Sequence, residues 1–436
     1  MAAGLRILIV SNFYPPEWLG GYELGCSQMA RALAARGHEV LVLTSSQNFP
    51  PLALSEETDV EDVDGDDAVE VRRCFFLHDV YRGAIAVGPS RDTHVRARTY
   101  CRHNAAALIH ELEAFRPDIA YLFNTLGLGV AGIVSALDQQ HVPWVWHLMD
   151  RIPAQMCEIR ELLALLPSNC DRDRCAVTGE FVACSRGLIS EINAEHVDLV
   201  GPMHIVPNWI DVPIKTARPT YYEPGRPLRV CFVGSLIEEK GVSHIIDGVR
   251  LLQRRSGPAN FVVDLFGQGD AARYAQAAQS CGLADRIRLR GPVSRPALLR
   301  SFSDYDLMLF PTSPREPFAF APIEAASQGC VQAFPDRCGN AEWFIDGVDC
   351  LKFARTPEGV AGLLAAIQEG AHDFRALAAN QARSLRLYFR LETVAARVER
   401  ILAKASHRTF ARRKRTPEWS IRFAILAQNL CLSAVT

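Results

Sequence analysis

Two glutamates, Glu316 and Glu324, bracket the seven uncharged residues PFAFAPI, and a small-residue run, AASQG, follows them. A carboxylate can accept hydrogen bonds from both hydroxyls of a vicinal diol, so each acid could hold one such diol. A plainer account is local. Pro322 suits the first turn of a helix, because its missing amide hydrogen would have no helical partner there, and Gly329 is a natural stop. The spacing predicts a helix from Pro322 to Gln328, with Glu316 in the loop upstream. Glu324 would sit in the first turn, where the helix dipole favours an acid by roughly 0.3–1 kcal/mol.

Other residues could join them. VGSLIEEKG puts Lys240 just after a strand-like run. A lysine there could supply a point charge to a leaving group that grows more negative in the transition state; alternatively it is a surface lysine ahead of a glycine turn. Gly20 and Gly21 follow the first apolar run, where missing side chains let backbone amides approach a phosphate or sugar, or simply make a turn. FGQG at 266–269 and RGPV at 290–293 end two strands with glycine. The thirteen cysteines are scattered, and the nearest cluster, Cys157, Cys170, Cys175 and Cys184, lacks the paired spacing of a zinc ribbon. They read as buried or idle thiols of a reducing compartment. The DRD at 171–173 lies in a cysteine-containing loop. No metal ligand set is assigned.

The elements that must position these residues are strands alternating with helices. LRILIV, EVLVLT, DIAYLF, WVWHL and FVACS read as strands, with SQMARALAARG, RTYCRHNAAALIHELEAF and RGLISEIN as helices. The alternation resumes after residue 226 with LRVCFVG, FVVDLFG, RIRLRG, LMLF and CVQAF. Such a pattern implies parallel sheets with helices on both faces, and its repetition implies two α/β domains. Residues 207–227 carry five prolines and no periodicity, as a linker does. The expected organisation is an N-terminal domain over 1–207, a linker over 208–227 and a C-terminal domain over 228–390. A helix at 391–405 able to cross back to the first domain follows, and then a tail over 406–436. Open α/β sheets bind ligands beyond their strands' C-terminal ends, so the expected site is a cleft between facing sheets.

Composition agrees with a globular enzyme: 436 residues, 49% hydrophobic and 22% charged. A net charge of −2 gives no general attraction to nucleic acid. MAAGLRILIV carries an arginine inside its apolar run and turns polar at Ser11, which suits a first strand better than a secretory signal. No window approaches the roughly 18 apolar residues of a membrane span, so a cytoplasmic protein is expected. Residues 55–70 hold nine acids and no bases, the composition of a solvated loop. The tail, RTFARRKR and then SIRFAILAQNLCLSAV, is basic and then apolar. It packs on the body or stays loose, with peripheral contact at a membrane surface as the alternative.

The motifs PPEWLGGYE, RGHEV, VPNWID, VGSLIEEKG, DLFGQGD, EPFAFAPIEAASQG and CGNAEWFIDGVDCLKF, in this order, resemble the family 4 retaining glycosyltransferases of the GT-B fold. The resemblance extends to about residue 405. It implies two facing Rossmann-like domains and transfer of a sugar from a nucleoside diphosphate sugar to a hydroxyl acceptor, with no cofactor and no metal. Carried over residue by residue, it places Glu316 on the sugar hydroxyls, Glu324 on the ribose, and Gly21 and Lys240 at the diphosphate. Ser235, Phe318, Ala319 and Phe320 line the donor site, with the base between the glycine turns at 266–269 and 290–293. His147 and Asp150 fall on the acceptor side, and Glu316, Lys240 and His147 are the catalytic candidates.

Four positions depart from the family's pattern. Ser235 stands where an arginine is common, so one of two cations expected on the diphosphate is missing, and Arg315 is a candidate substitute. Pro317 and Ala319 replace glycines. Met149 occupies the usual histidine position, leaving His147 either to serve in its place or to pack in the strand. Two rival functions stay open: a nucleotide-sugar epimerase or hydrolase on the same scaffold, and a nucleotide-binding protein that has lost turnover. The base, sugar and acceptor are not legible.

Overall fold

The computed structural model describes residues 4–18, 20–45, 68–77, 100–154, 175–195, 197–215, 217–256 and 260–408. RILIV forms β1 (Arg6–Val10) and buries every residue after the first, as a strand covered on both faces must. It is followed by α1 (Gly21–Ala35), β2 (Glu39–Ser45), β3 (Val69–Phe75), α2 (Arg102–Phe115), β4 (Ile119–Leu122), α3 (Val130–Gln139) and β5 (Trp144–Leu148). Then come β6 (Cys175–Thr178), β7 (Glu180–Ala183), α4 (Arg186–Ala194), β8 (Val197–Val200) and β9 (Met203–Ile205). Seven of these strands form one sheet in the order β3-β2-β1-β4-β5-β7-β9, and β6 pairs with β8. Every pairing in the first sheet is parallel.

The second half repeats the plan with β10 (Leu228–Val233), α5 (Val242–Ser256), β11 (Phe261–Phe266), α6 (Ala271–Ser280), β12 (Ile287–Gly291), α7 (Arg295–Ser301) and β13 (Leu307–Leu309). It continues with α8 (Phe320–Ser327), β14 (Val331–Pro335), β15 (Leu351–Phe353), α9 (Pro357–Gln368) and α10 (Phe374–Ser384). The parallel order is β12-β11-β10-β13-β14-β15. In the first sheet the order reverses between β1 and β4, and in the second between β10 and β13, which puts the crevice of each sheet beyond those strand ends.

The last helix, α11 (Leu391–His407), belongs by packing to the first half. Its Val394, Ala395, Val398, Ile401, Leu402 and Ala405 share a core with Ile7, Met29 and Leu33. The linker is ordered as it crosses: Ile210 N–H donates to the Phe389 carbonyl at 2.8 Å, and Leu391 N–H to Ile210 at 2.9 Å. The two crossings between the halves thus run side by side.

Two local expectations change. Of the acidic run 55–70, only Ala68, Val69 and Glu70 are among the described residues, and there the chain is already entering β3. The remainder, with residues 79–98, the DRD at 171–173, Cys157, Cys170 and nearly all of the 406–436 tail, lies outside them. Helix α8 starts at Phe320, not Pro322, because a proline at the third helical position still lacks only an amide that would be unpaired. Glu324 therefore sits beyond the first turn, where the dipole acts less on it. The C-terminal punctuation is as expected, with Gly329 at φ +84° just past the helix. No helix of the described residues is long and apolar enough to cross a membrane.

Candidate active site

The turn after β10 and the loop after β13 flank the second sheet's switch point and carry Lys240 and Glu316. Their ammonium and carboxylate form an ion pair, and Thr312 Oγ1 donates to the same Glu316 oxygen, Oε2, at 2.9 Å. Lys240 also lies 5.5 Å over the Phe310 ring. The two loops meet backbone to backbone. Gly241, at φ +77°, has no room for a side chain, because a Cβ would stand 2.0 Å from the Pro311 carbonyl oxygen. Arg355 staples both loops, donating from Nε to Pro311 at 3.0 Å and from Nη2 to the carbonyls of Glu238 and Glu239.

The backbone from Glu316 to Ala319 is held from three sides. Gly339 N–H donates to the Glu316 carbonyl at 2.8 Å. Asn340, fully buried, accepts from Ala319 N–H at 2.8 Å and donates to its carbonyl at 3.0 Å, while Asn208 Nδ2 donates to Phe318 O at 3.0 Å. Phe318 itself is turned into the core against Phe389. Phe318, expected at the donor site, therefore stays with that loop by its backbone, while its side chain belongs to the core. Phe320 faces the other half, edge-on to Trp209. A Cβ on Gly21 would lie 2.7 Å from the Phe320 ring, so the glycine lets α1 approach the acid-bearing loop. Gly21, Phe320, Glu316 and Lys240 are in this way gathered where the two sheets' crevices face each other.

Glu324 lies a turn into α8, almost wholly buried, with Arg295 Nε donating to its Oε1 at 2.7 Å. Burial pushes its carboxyl above the ordinary value, against the pull of Arg295. Arg295 also reaches Asp211 of the linker at 2.6 Å. Ser235 is exposed at the end of β10. The glycine turns after β11 are close backbone packings, since a Cβ on Gly267 would lie 1.9 Å from the Gly234 carbonyl oxygen.

On the opposite wall the expectations divide. His147 has no exposed surface; Tyr121 OH lies 2.5 Å from Nδ1, and Phe123 and Trp209 surround the ring. Burial lowers its pKa to about 3, so it is neutral at physiological pH. Of the two alternatives for His147 the structure has the packed strand histidine, and its assignment as a catalytic group on the acceptor side is corrected accordingly. Tyr22 ties this strand end to α1, donating to His147 O at 2.5 Å and accepting from Met149 N–H at 3.3 Å. Asp150 is exposed, one oxygen accepting from Arg151 N–H at 2.7 Å.

Arg315 does not supply the cation missing at Ser235. It reaches into the first half, pairing with Glu191 at 2.6 Å and with Glu195. Glu342 crosses too, accepting from Arg186 N–H at 2.7 Å and Gly187 N–H at 2.6 Å, the first amides of α4. Ser185 takes a third, from Leu188, at 3.2 Å. Sequence reasoning missed Glu342, Asn340, Arg355 and Arg295. The CGNAEW motif contains the first two, but nothing local tells what they touch. Among the described residues no group of three or more His, Cys, Asp or Glu side chains is placed to hold a metal ion.

Residues 20–209 match the family described as glycosyl transferase 4-like domain, and residues 214–383 that of glycosyl transferases group 1. The chain is 28% identical over 397 residues to a glycogen synthase of Mycobacterium tuberculosis, covering 88% of this chain and 89% of that one. Among solved structures, sucrose-phosphate synthase from Thermosynechococcus elongatus superposes with a TM-score of 0.63 at 17% identity, over 92% of this chain and 98% of the other. Anabaena HepE, solved with UDP and glucose, gives 0.62 at 16% identity, over 92% and 99%. These likenesses show the fold. With both halves matched by the two families, the chain belongs to the family 4 glycosyltransferases of the GT-B fold.

Proposed function

We propose that this glycosyltransferase moves a sugar from a nucleoside diphosphate sugar to a hydroxyl acceptor, with retention at the anomeric carbon and without a metal ion. The observation that carries the reading is the convergence of Lys240, Glu316 and the start of α8 at the β10/β13 switch point, opposite Gly21 at the β1/β4 switch point. Anabaena HepE has been solved with UDP-glucose, which supports a nucleotide-sugar donor. The bond from the anomeric carbon to the phosphate oxygen breaks, the bond to the acceptor oxygen forms, and the acceptor's proton leaves with the diphosphate. Lys240 carries three donors, so it can keep Glu316 oriented and still meet the departing phosphate. First-turn amides of α8 add positive potential there. Glu316 holds sugar hydroxyls and Glu324 the ribose diol. The work is positional and electrostatic, and no protein nucleophile is assigned.

The test is thermal unfolding of the full chain with UDP-, GDP- and ADP-sugars, since a ligand that binds only the folded state raises its apparent stability. The product's anomeric configuration follows by NMR. Glu324→Ala should weaken nucleotide binding, and Glu316→Ala should chiefly lower kcat. An inverted product, release of free monosaccharide or an epimer without acceptor, or wild-type kinetics in both variants would overturn the proposal.

A further inference from the structure

Arg295 stands at the start of α7 and makes two charged contacts that lead in different directions. Nε reaches Glu324 Oε1 at 2.7 Å, and Nη2 reaches Asp211 Oδ1 at 2.6 Å. The chain of contacts continues. Asp211 Oδ2 accepts from Gln28 Nε2 of α1 at 2.5 Å, and Gln28 Oε1 accepts from the buried Trp209 Nε1 at 2.9 Å. One relay thus joins α8, α7, the linker and α1. Among the described residues no hydrogen bond reaches Glu324 Oε2. A guanidinium is a planar, rigid fork, so where one carboxylate holds it decides where the other is held.

We propose that Arg295 is a positioning residue for diol recognition: it fixes Glu324 by Oε1, leaves Oε2 to accept from the ribose hydroxyls, and makes that geometry depend on the first half through Asp211 and Gln28. This rests on the reading of Glu324 as the ribose acceptor. A counter-ion serving Glu324 alone would need neither Asp211 nor Gln28. Burial raises the Glu324 carboxyl above its ordinary value, and the contact with Arg295 works against that rise.

The test compares binding of UDP, GDP or ADP, whichever binds most tightly, with binding of its 2′,3′-dideoxy counterpart. Arg295→Met should weaken the ribonucleotide about tenfold, the scale of one charged hydrogen bond, and leave the dideoxy nucleotide within about twofold. Unchanged dideoxy binding also shows that the variant is folded. Asp211→Asn and Gln28→Ala should lose part of the same diol preference, and Arg295→Lys should recover part of it. If Glu324→Gln keeps the full preference, or if no nucleotide binds, the ribose reading falls and this inference with it. If Glu324→Gln loses the preference while Arg295→Met keeps it, or weakens both nucleotides equally, this inference alone is overturned. Full preference in both Asp211→Asn and Gln28→Ala would overturn the link to the first half.

Discussion

Gly339 lies against the loop that carries Glu316, and replacing it with alanine tests whether that packing sets the acid's position. Its φ of −60° and ψ of −36° suit any residue, so only space matters. A Cβ at 339 would stand 1.5 Å from the Pro317 carbonyl oxygen and 3.0 Å from that of Glu316. Real Cβ contacts essentially never fall below 3.0 Å, so the Pro317 carbonyl must retreat across that difference. It cannot do so alone, because hydrogen bonds from Gly339, Asn208 and Asn340 hold the neighbouring carbonyls. Overpacking of this kind costs about 1–3 kcal/mol, and a catalytic group misplaced by about 1 Å can cost about 10²-fold in rate. For Gly339→Ala we expect Tm to fall by roughly 4–8 °C, taking about 2 kcal/mol and a domain of this size. We expect kcat to fall about 10²-fold when it is measured well below the new Tm. Gly362→Ala is the control. That glycine is exposed within α9, a Cβ there meets nothing within 4 Å, and the change should stabilise by about 0.5–1 kcal/mol. Thermal melts and steady-state kinetics with the best donor decide it. A Gly339→Ala variant that melts lower but turns over normally would refute the claim that this packing aims Glu316.

Two further outcomes follow from contacts outside the donor site. Glu342→Ala removes the acceptor for two amides at the start of α4 and should cost about 1 kcal/mol as a lost cap, less in high salt because Glu342 is exposed; melts at two ionic strengths check it, and an unchanged Tm at low salt counts against the cap. His147 is held neutral with a pKa of about 3 against about 6.5 unfolded, so its contribution is fully present above about pH 6.5. As pH falls toward 3 that contribution is lost, at up to about 1.4 kcal/mol per pH unit, because only the unfolded chain takes the proton. Urea unfolding between pH 7 and 5 should therefore show a steeper loss for wild type than for His147→Gln, and equal slopes would refute a buried neutral imidazole.

Much of this protein is written locally. Strand-length apolar runs between helical patterns determine two parallel sheets, because a strand covered on both faces has no polar side to show. Gly329 ends α8 through its own backbone limit, whereas Pro322 marks its first turn although the helix begins two residues earlier. Residue type, spacing and motif order singled out Glu316, Glu324 and Lys240 as candidates. Helix α3 escaped notice because VAGIVSALDQ buries eight of its ten residues, leaving no polar stripe to give a period. What touches what was decided only in three dimensions. Arg295 meets Asp211 84 positions away, Gln28 meets Asp211 across 183, and Glu342 meets Arg186 across 156. No local period reports such distances. The same limit explains His147 and Phe318. Alternation along a strand or loop says which face a side chain takes, but α1 and the linker's Trp209 decide that the histidine's face is sealed, and Phe389 decides that Phe318 points inward. A sequence specifies faces; burial and pairing arise when distant elements close over them.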